Sequence, residues 1–273
     1  MLKVRLDLLL VERGLAESRS KAQALVMAGQ VRVDGQVADR AAANISNEAE
    51  VTVDKGARFV SRGGEKLEAA LSTFPVEVNG RTCADVGAST GGFTDCLLQH
   101  GAAKVYTVDV GKGILHWKLR SDPRVIVMEE TNARYVEALP EPVSLVTVDA
   151  SFISLKILLP VVKKWFGSPS GSPVSPEMRR KKEADVIALI KPQFEAGRKE
   201  SARHKGVIRD PAVHKAILMD VLAFAQGQGF SVRALLRSPV LGPKGNVEFL
   251  AWLGVGEAEP TDLAALVLQV LEE

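Results

Sequence analysis

The sequence predicts an α/β protein in two parts: a small N-terminal α/β unit over residues 1–58, then a doubly wound domain with a mostly parallel sheet over residues 67–273, joined by residues 59–66. Three observations carry this reading. From residue 82 onward, apolar strand-like segments alternate with helix-like ones, the order that builds βαβ units. A glycine-rich turn, Gly87 to Gly92, separates the first of these strands from a helix, where doubly wound folds hold their ligands. Before residue 58 the pattern is different, with two short amphipathic segments followed by a hairpin signal.

Composition agrees with a folded chain of this size. The 273 residues are 46% hydrophobic and 25% charged, which supports one large core or two smaller ones and excludes a disordered or fibrous protein. The longest clean apolar run, Ile157 to Val162, contains Pro160 and falls far short of the ~20 residues of a membrane helix. Arg5, Asp7 and Glu12 interrupt the apolar start, so no signal-peptide core is read there and a cytoplasmic protein is expected. Cys83 and Cys96 are too few for a disulfide framework. With no neighbouring Cys or His, and with His100, His116, His204 and His214 showing no ligand spacing, no metal site is expected.

In the first part, Leu6 to Val11 and Ala22 to Met27 repeat their apolar residues at helical spacing. Ser18 is placed to cap the second helix and Gly29 to end it. Val31, Val33 and the Asp34-Gly35 turn then announce a strand and hairpin. Gly63-Gly64 reads as a hinge before a helix starting near Glu65. The strands expected after it are Thr82–Val86, Lys104–Asp109, Val125–Met128, Val143–Asp149, Asp185–Ile190, Phe230–Leu236 and Glu248–Leu253. Residues 167–183, rich in Ser, Pro and Gly and carrying Arg179, Arg180, Lys181 and Lys182, read as a mobile loop. Residues 163–215 hold 13 basic and 6 acidic residues, a +7 surplus in a chain of net charge +2. That surplus reads either as a polyanion-binding surface or as a solvated face with a basic loop. Trp117, Trp165 and Trp252 are expected in the core, Trp117 also being placed to border an adenine.

The turn Asp85-Val86-Gly87-Ala88-Ser89-Thr90-Gly91-Gly92-Phe93-Thr94-Asp95 matches neither GxGxxG nor a Walker A loop, so nucleotide hydrolysis loses ground. Asp109 ends the second strand, where an acidic residue accepts hydrogen bonds from a ribose diol. A nucleoside-containing ligand without a phosphate fits this combination. S-adenosylmethionine is such a molecule.

The order Arg5-Leu6-Asp7, Ala16-x-Ser18-Arg19-Ser20-Lys21-Ala22 and Gly29-Gln30-Val31-Arg32-Val33-Asp34-Gly35 resembles the S4 RNA-binding module, across about residues 3–50. Further stretches look like the TlyA family, bacterial ribosomal-RNA 2′-O-methyltransferases often called haemolysins, in which an S4 module precedes a Rossmann-like, FtsJ-like methyltransferase domain. They are Ser61 to Leu67, Gly87 to Asp95, Val148 to Leu155, Ile190 to Glu195 and Gly242 to Glu248, with Lys205 to Pro211 as a sixth. The resemblance implies RNA contacts at Arg5, Arg19, Lys21, Arg32 and Arg62. It implies cofactor contacts at Gly87, Ala88, Ser89, Gly91, Gly92, Phe93, Asp109, Val110, Asn132 and Asp149, with S-adenosylmethionine as cofactor and ribosomal RNA or ribosomal subunits as partner. Two positions depart from the family: Ile114 stands where glutamine is usual, and Glu130 where arginine is usual.

A ribose 2′-hydroxyl is a poor nucleophile, so a base must take its proton. A lysine can do so when burial or a nearby cation lowers its pKa and carboxylates hold it in place. The resemblance assigns the family's Lys-Asp-Lys-Glu set to Lys66, Asp149, Lys191 and Glu248. Lys191 is then the base, Asp149 and Glu248 orient it, and Lys66 helps place the ribose. Two other classes compete. A membrane-active haemolysin requires an amphipathic insertion segment or a secretion signal, and neither is read here. An RNA-binding protein with a degenerate methyltransferase fold is opposed by the four intact residues and favoured by Ile114 and Glu130.

Overall fold

The computed structural model describes residues 3–54, 56–167, 184–197, 206–255 and 261–272. Leucines at helical spacing start the first unit: Leu6, Leu9 and Leu10 of α1 (Leu6–Glu12) are buried in one cluster with Ala22 and Val26 of α2 (Arg19–Met27). Each fully buried leucine contributes roughly 1.5–3 kcal/mol, which matters in a unit this small. The Ser18 side chain accepts the Lys21 N–H at 3.2 Å and so caps α2. Strand β2 (Val31–Val33) turns into β3 (Gln36–Val37) through Asp34 and Gly35, both at positive φ (50° and 80°), as a two-residue hairpin requires. Two three-residue strands, β1 (Lys3–Arg5) and β4 (Asn44–Ser46), form an antiparallel pair, while β5 (Val51–Val53) joins β2.

The chain divides into two compact units, Met1–Arg58 and Phe59–Glu273. Residues 59–66, read from sequence as a joint, belong to the second unit. Phe59 is 2% exposed in that unit's core, and a Cβ on Gly64 would overlap its ring. The glycine pair therefore serves close packing, and helix α3 (Gly63–Thr73) begins at the pair itself.

The second unit is a seven-stranded sheet in the order β11-β12-β10-β9-β6-β7-β8. Its strands are β6 (Thr82–Val86), β7 (Lys104–Val108), β8 (Val125–Met128), β9 (Leu145–Val148), β10 (Ala184–Ile190), β11 (Phe230–Arg237) and β12 (Phe249–Val255). Strands β6 to β10 run parallel, while β12 is antiparallel to both β10 and β11. Alternate strand residues feed two cores, one on each face. Cys83, Leu145 and Ile187 meet α3, α4 (Gly92–Gln99) and α5 (Trp117–Arg120). Ala84, Val146 and Val186 meet α6 (Leu155–Val162), α8 (Pro211–Gly227) and α9 (Leu263–Glu272); the short α7 (Pro192–Glu195) follows β10. The order reverses between β6 and β9, so the ends of these two strands form the topological switch point.

Trp165 is core, 2% exposed, but Trp117 is 74% exposed, because α5 has only one turn and turns Leu119 inward instead. The basic run at 179–182, His204 and Lys205 lie outside the described residues.

Candidate active site

Gly87 ends β6 at φ 81°, and a Cβ there would stand 2.7 Å from the Asp149 carbonyl oxygen and 2.9 Å from the Ala150 Cα. Only glycine lets the turn close on the end of β9, and this brings Asp149 to the switch point. Gly92 plays the same part towards α3: its Cβ would come within 2.8 Å of the Gly64 nitrogen.

Gly91 has a packing role. It lines neither cleft described below, sits at φ 96°, and a Cβ on it would overlap Leu119 and approach Leu115 Cδ1 to 2.8 Å. Gly91→Val is therefore expected to destabilise the fold by more than ~2 kcal/mol in urea unfolding, through overpacking and a disallowed φ. A folded Gly91→Val protein of wild-type stability would remove this packing role.

Two clefts open along the carboxyl ends of the strands. The first, about 300 Å³, has apolar walls from Val86, Val108, Ala133 and Leu158 and polar groups from Asp109, Asn132 and Asp149; Val110 and Ile114 also line it. The second, about 330 Å³, is lined by Arg62, Lys66, Ala88, Phe93, Lys191 and Gly242 among others. Gly87, Ser89, Asp149 and Ser151 line both, so the clefts are continuous.

Asp109 Oδ2 accepts the Ser89 N–H at 2.8 Å and Oδ1 accepts the Gly111 N–H at 2.7 Å. A carboxylate accepts about four hydrogen bonds, so Asp109 keeps acceptor capacity for a ribose diol. Asn132 Oδ1 accepts the Arg134 N–H at 3.1 Å. Of the two departures from the family pattern, Ile114 lines the first cleft, whereas Glu130 does not and pairs with Lys112 at 2.9 Å. Trp117 lines neither cleft.

The four residues of the Lys-Asp-Lys-Glu set come together as two ion pairs. Lys66 Nζ donates to Glu248 Oε2 at 2.6 Å; the lysine side chain is 10% exposed and the carboxylate fully buried. Lys191 Nζ stands 2.6 Å from Asp149 Oδ1 and donates to Ser151 Oγ at 2.9 Å and to the Asp149 carbonyl at 3.4 Å. Sequence reasoning had set both carboxylates around Lys191, whereas here each lysine has its own. Glu248 turns towards α3 because Gly242, whose Cβ would overlap it, leaves the space. Asp149 Oδ1 is buried, and the Lys191 ammonium is its counterion.

Three contributors received no role from the sequence. Ser151 accepts from Lys191, and Gln193 Nε2 approaches Glu248 Oε1 at 3.4 Å. Asp85, fully buried under the turn, accepts from Thr94 Oγ1 at 2.7 Å and Thr147 Oγ1 at 3.1 Å; burial, with Asp149 nearby, pushes its carboxyl up to about 7. A lone carboxylate within an apolar strand was the available signal for Asp85.

In the first unit, Arg5 and Arg19 both reach the buried Asp7, at 2.8 and 3.0 Å, and Gln23 adds a bond at 3.0 Å. Arg5 above all holds the Asp7 carboxyl well below the usual carboxylate range. Lys21 and Arg32 are exposed, Arg32 donating to the Gly35 carbonyl at 3.3 Å. Arg62 is exposed on the second cleft.

A family model described as FtsJ-like methyltransferase matches residues 59–255, and one described as S4 domain matches residues 4–51. Fold and match together define a Rossmann-like methyltransferase preceded by an S4 domain. The 16S/23S rRNA (cytidine-2′-O)-methyltransferase TlyA of Mycobacterium tuberculosis is 44% identical over 92% of this chain and 90% of its own length. Hemolysin A of Brachyspira hyodysenteriae is 39% identical over 91% of this chain and 98% of its own length. A solved structure from Streptococcus thermophilus, also under a hemolysin name, superposes with a TM-score of 0.70 at 41% identity, covering 100% of this chain and 95% of that one. The chain belongs to the TlyA family of FtsJ-like methyltransferases. Among the described residues no helix is long and apolar enough to cross a membrane.

Proposed function

We propose that this chain transfers a methyl group from S-adenosylmethionine to a ribose 2′-hydroxyl of ribosomal RNA in the cytoplasm, with cytidine as the target nucleoside. The observation that carries the reading is the meeting of the Lys66–Glu248 and Lys191–Asp149 pairs at a cleft continuous with the one that ends at Asp109. When bound, S-adenosylmethionine supplies an electrophilic sulfonium methyl. The residues present suit it: Asp109 for the ribose diol, Val110 and the apolar walls for the adenine, and Ser89 and Asn132 at the rim. Lys191 Nζ, held by Asp149 and Ser151, takes the proton of the attacking hydroxyl, and Lys66, fixed by Glu248, positions the ribose. Arg62 at the second cleft and Arg5, Arg19, Lys21 and Arg32 of the S4 domain contact the RNA backbone. The S4 and FtsJ-like matches and the TlyA relative support this reading.

The test is tritiated methyl transfer from S-adenosylmethionine to 16S and 23S RNA, free and in subunits, prepared from a strain lacking the protein, with the position mapped by blocked alkaline cleavage. No incorporation into any of these substrates, or incorporation into a base, would overturn the proposal. RNA affinity should also fall with salt, by ~0.7–0.9 log units per log unit of salt for each phosphate contact. Lys21→Ala and Arg32→Ala should each reduce that slope by about 1 if each meets a phosphate. Equal slopes for the wild type and the double variant would remove the S4 face from the RNA contact.

A further inference from the structure

Helices α3 and α4 bring three metal-ligating side chains together, and none of the three lines either cleft. Glu68 comes from α3; Cys96 on α4 and His100, which ends that helix, are four residues apart and so share a face. His100 Nε2 lies 2.7 Å from Glu68 Oε2, and Cys96 Sγ lies 3.7 Å from the same oxygen. All three ligand atoms fall within 4.8 Å of one another. Sequence spacing gave no expectation of a metal, because Glu68 lies on a different helix.

We propose that Glu68, Cys96 and His100 bind a borderline-soft divalent cation, zinc being the chemical match, and that the ion ties α3 to α4. The donor set is one thiolate, one imidazole and one carboxylate, each an ordinary zinc ligand. Bonds of about 2.0–2.3 Å at tetrahedral angles place ligand atoms roughly 3.3–3.8 Å apart. Cys96 and Glu68 already have this separation. His100 and Glu68, at 2.7 Å, stand closer by roughly 0.6–1.1 Å, and a partly exposed side chain such as His100 can make that adjustment. Cys96 is fully buried, while the Glu68 and His100 side chains are 18% and 33% exposed, so an ion enters from the His100 side and keeps a water as fourth ligand. Binding releases the Cys96 thiol proton, so affinity rises with pH. Without an ion, the same geometry is a His–Glu ion pair with the Cys96 thiol donating to the same oxygen, and the cobalt titration distinguishes the two.

The experiment titrates the full chain with Co²⁺ and then Zn²⁺. One equivalent of Co²⁺ should produce a thiolate-to-cobalt charge-transfer band, which Zn²⁺ abolishes. Zinc at about 100 times its dissociation constant should raise the thermal midpoint by about 5–10 °C. Cys96→Ser should eliminate the band, His100→Ala and Glu68→Gln should each weaken zinc binding at least ~10-fold, and Cys83→Ser should leave the band and the zinc affinity unchanged. S-adenosylmethionine affinity should be unaffected in His100→Ala, which separates this site from the proposed cofactor cleft. The proposal is overturned by a wild-type dissociation constant for zinc weaker than ~10 µM, or by a band that survives Cys96→Ser and disappears in Cys83→Ser. If Cys96→Ser does not fold, unchanged zinc affinity in both His100→Ala and Glu68→Gln overturns it equally.

Discussion

Lys191→Ala is expected to lower the single-turnover methyl-transfer rate by at least ~100-fold, the scale of a lost general base, while S-adenosylmethionine and RNA affinities stay within a few-fold of wild type. The separation follows from where Nζ sits. It lines the second cleft, faces Asp149 Oδ1 at 2.6 Å and Ser151 Oγ at 2.9 Å, and does not line the first cleft, where the cofactor is proposed to bind. Lys191→Arg should fail as well, because a guanidinium keeps the charge but cannot accept a proton. Ser151→Ala tests the same geometry from the other side: with one of Nζ's partners gone, the rate should fall by less than in Lys191→Ala. An arginine variant that methylates at near wild-type rate would leave Lys191 as a positioning cation and transfer the base role to Lys66.

The sequence revealed the sheet more fully than the site. Buried parallel strands read as short apolar runs, and each of the seven expected strands lies within two residues of its observed limits. The three-residue strands β1 and β4 were not legible, because so short a segment has no period of its own and depends on its partner. Gly63-Gly64 was read as a hinge because glycine's two uses, freedom and close approach, are written with the same letter; Phe59 decides between them. Gly91 was assigned to the ligand for the same reason, with no sign of the space it leaves for Leu115 and Leu119. The Lys-Asp-Lys-Glu set was legible as residues but not as partners. Which carboxylate meets which lysine depends on how α3 and the start of β12 cross the switch point, across 182 residues of sequence. Cys96 and His100 shared a helical face in plain view, but their third neighbour had no sequence signal.

Glu248→Ala should cost ~3–5 kcal/mol of stability in urea unfolding, more than any single loss at the protein surface, because it leaves an ammonium without its partner in a site where little water reaches. The Lys66 side chain is 10% exposed, and it donates to Glu248 Oε2 at 2.6 Å. An exposed pair would lose less than ~1 kcal/mol on the same substitution, so the magnitude itself reports the burial. Replacing both partners removes the stranded charge: Lys66→Met with Glu248→Met should recover at least half of the lost stability, since long unbranched side chains fill nearly the same space. That double variant should nonetheless transfer no methyl groups, because the ribose has lost its positioning cation. Stability and catalysis then separate at one pair of residues. If the double variant is less stable than Glu248→Ala, the pair is held by packing around Gly242 rather than by its charge, and the assignment of Glu248 as the anchor of Lys66 fails.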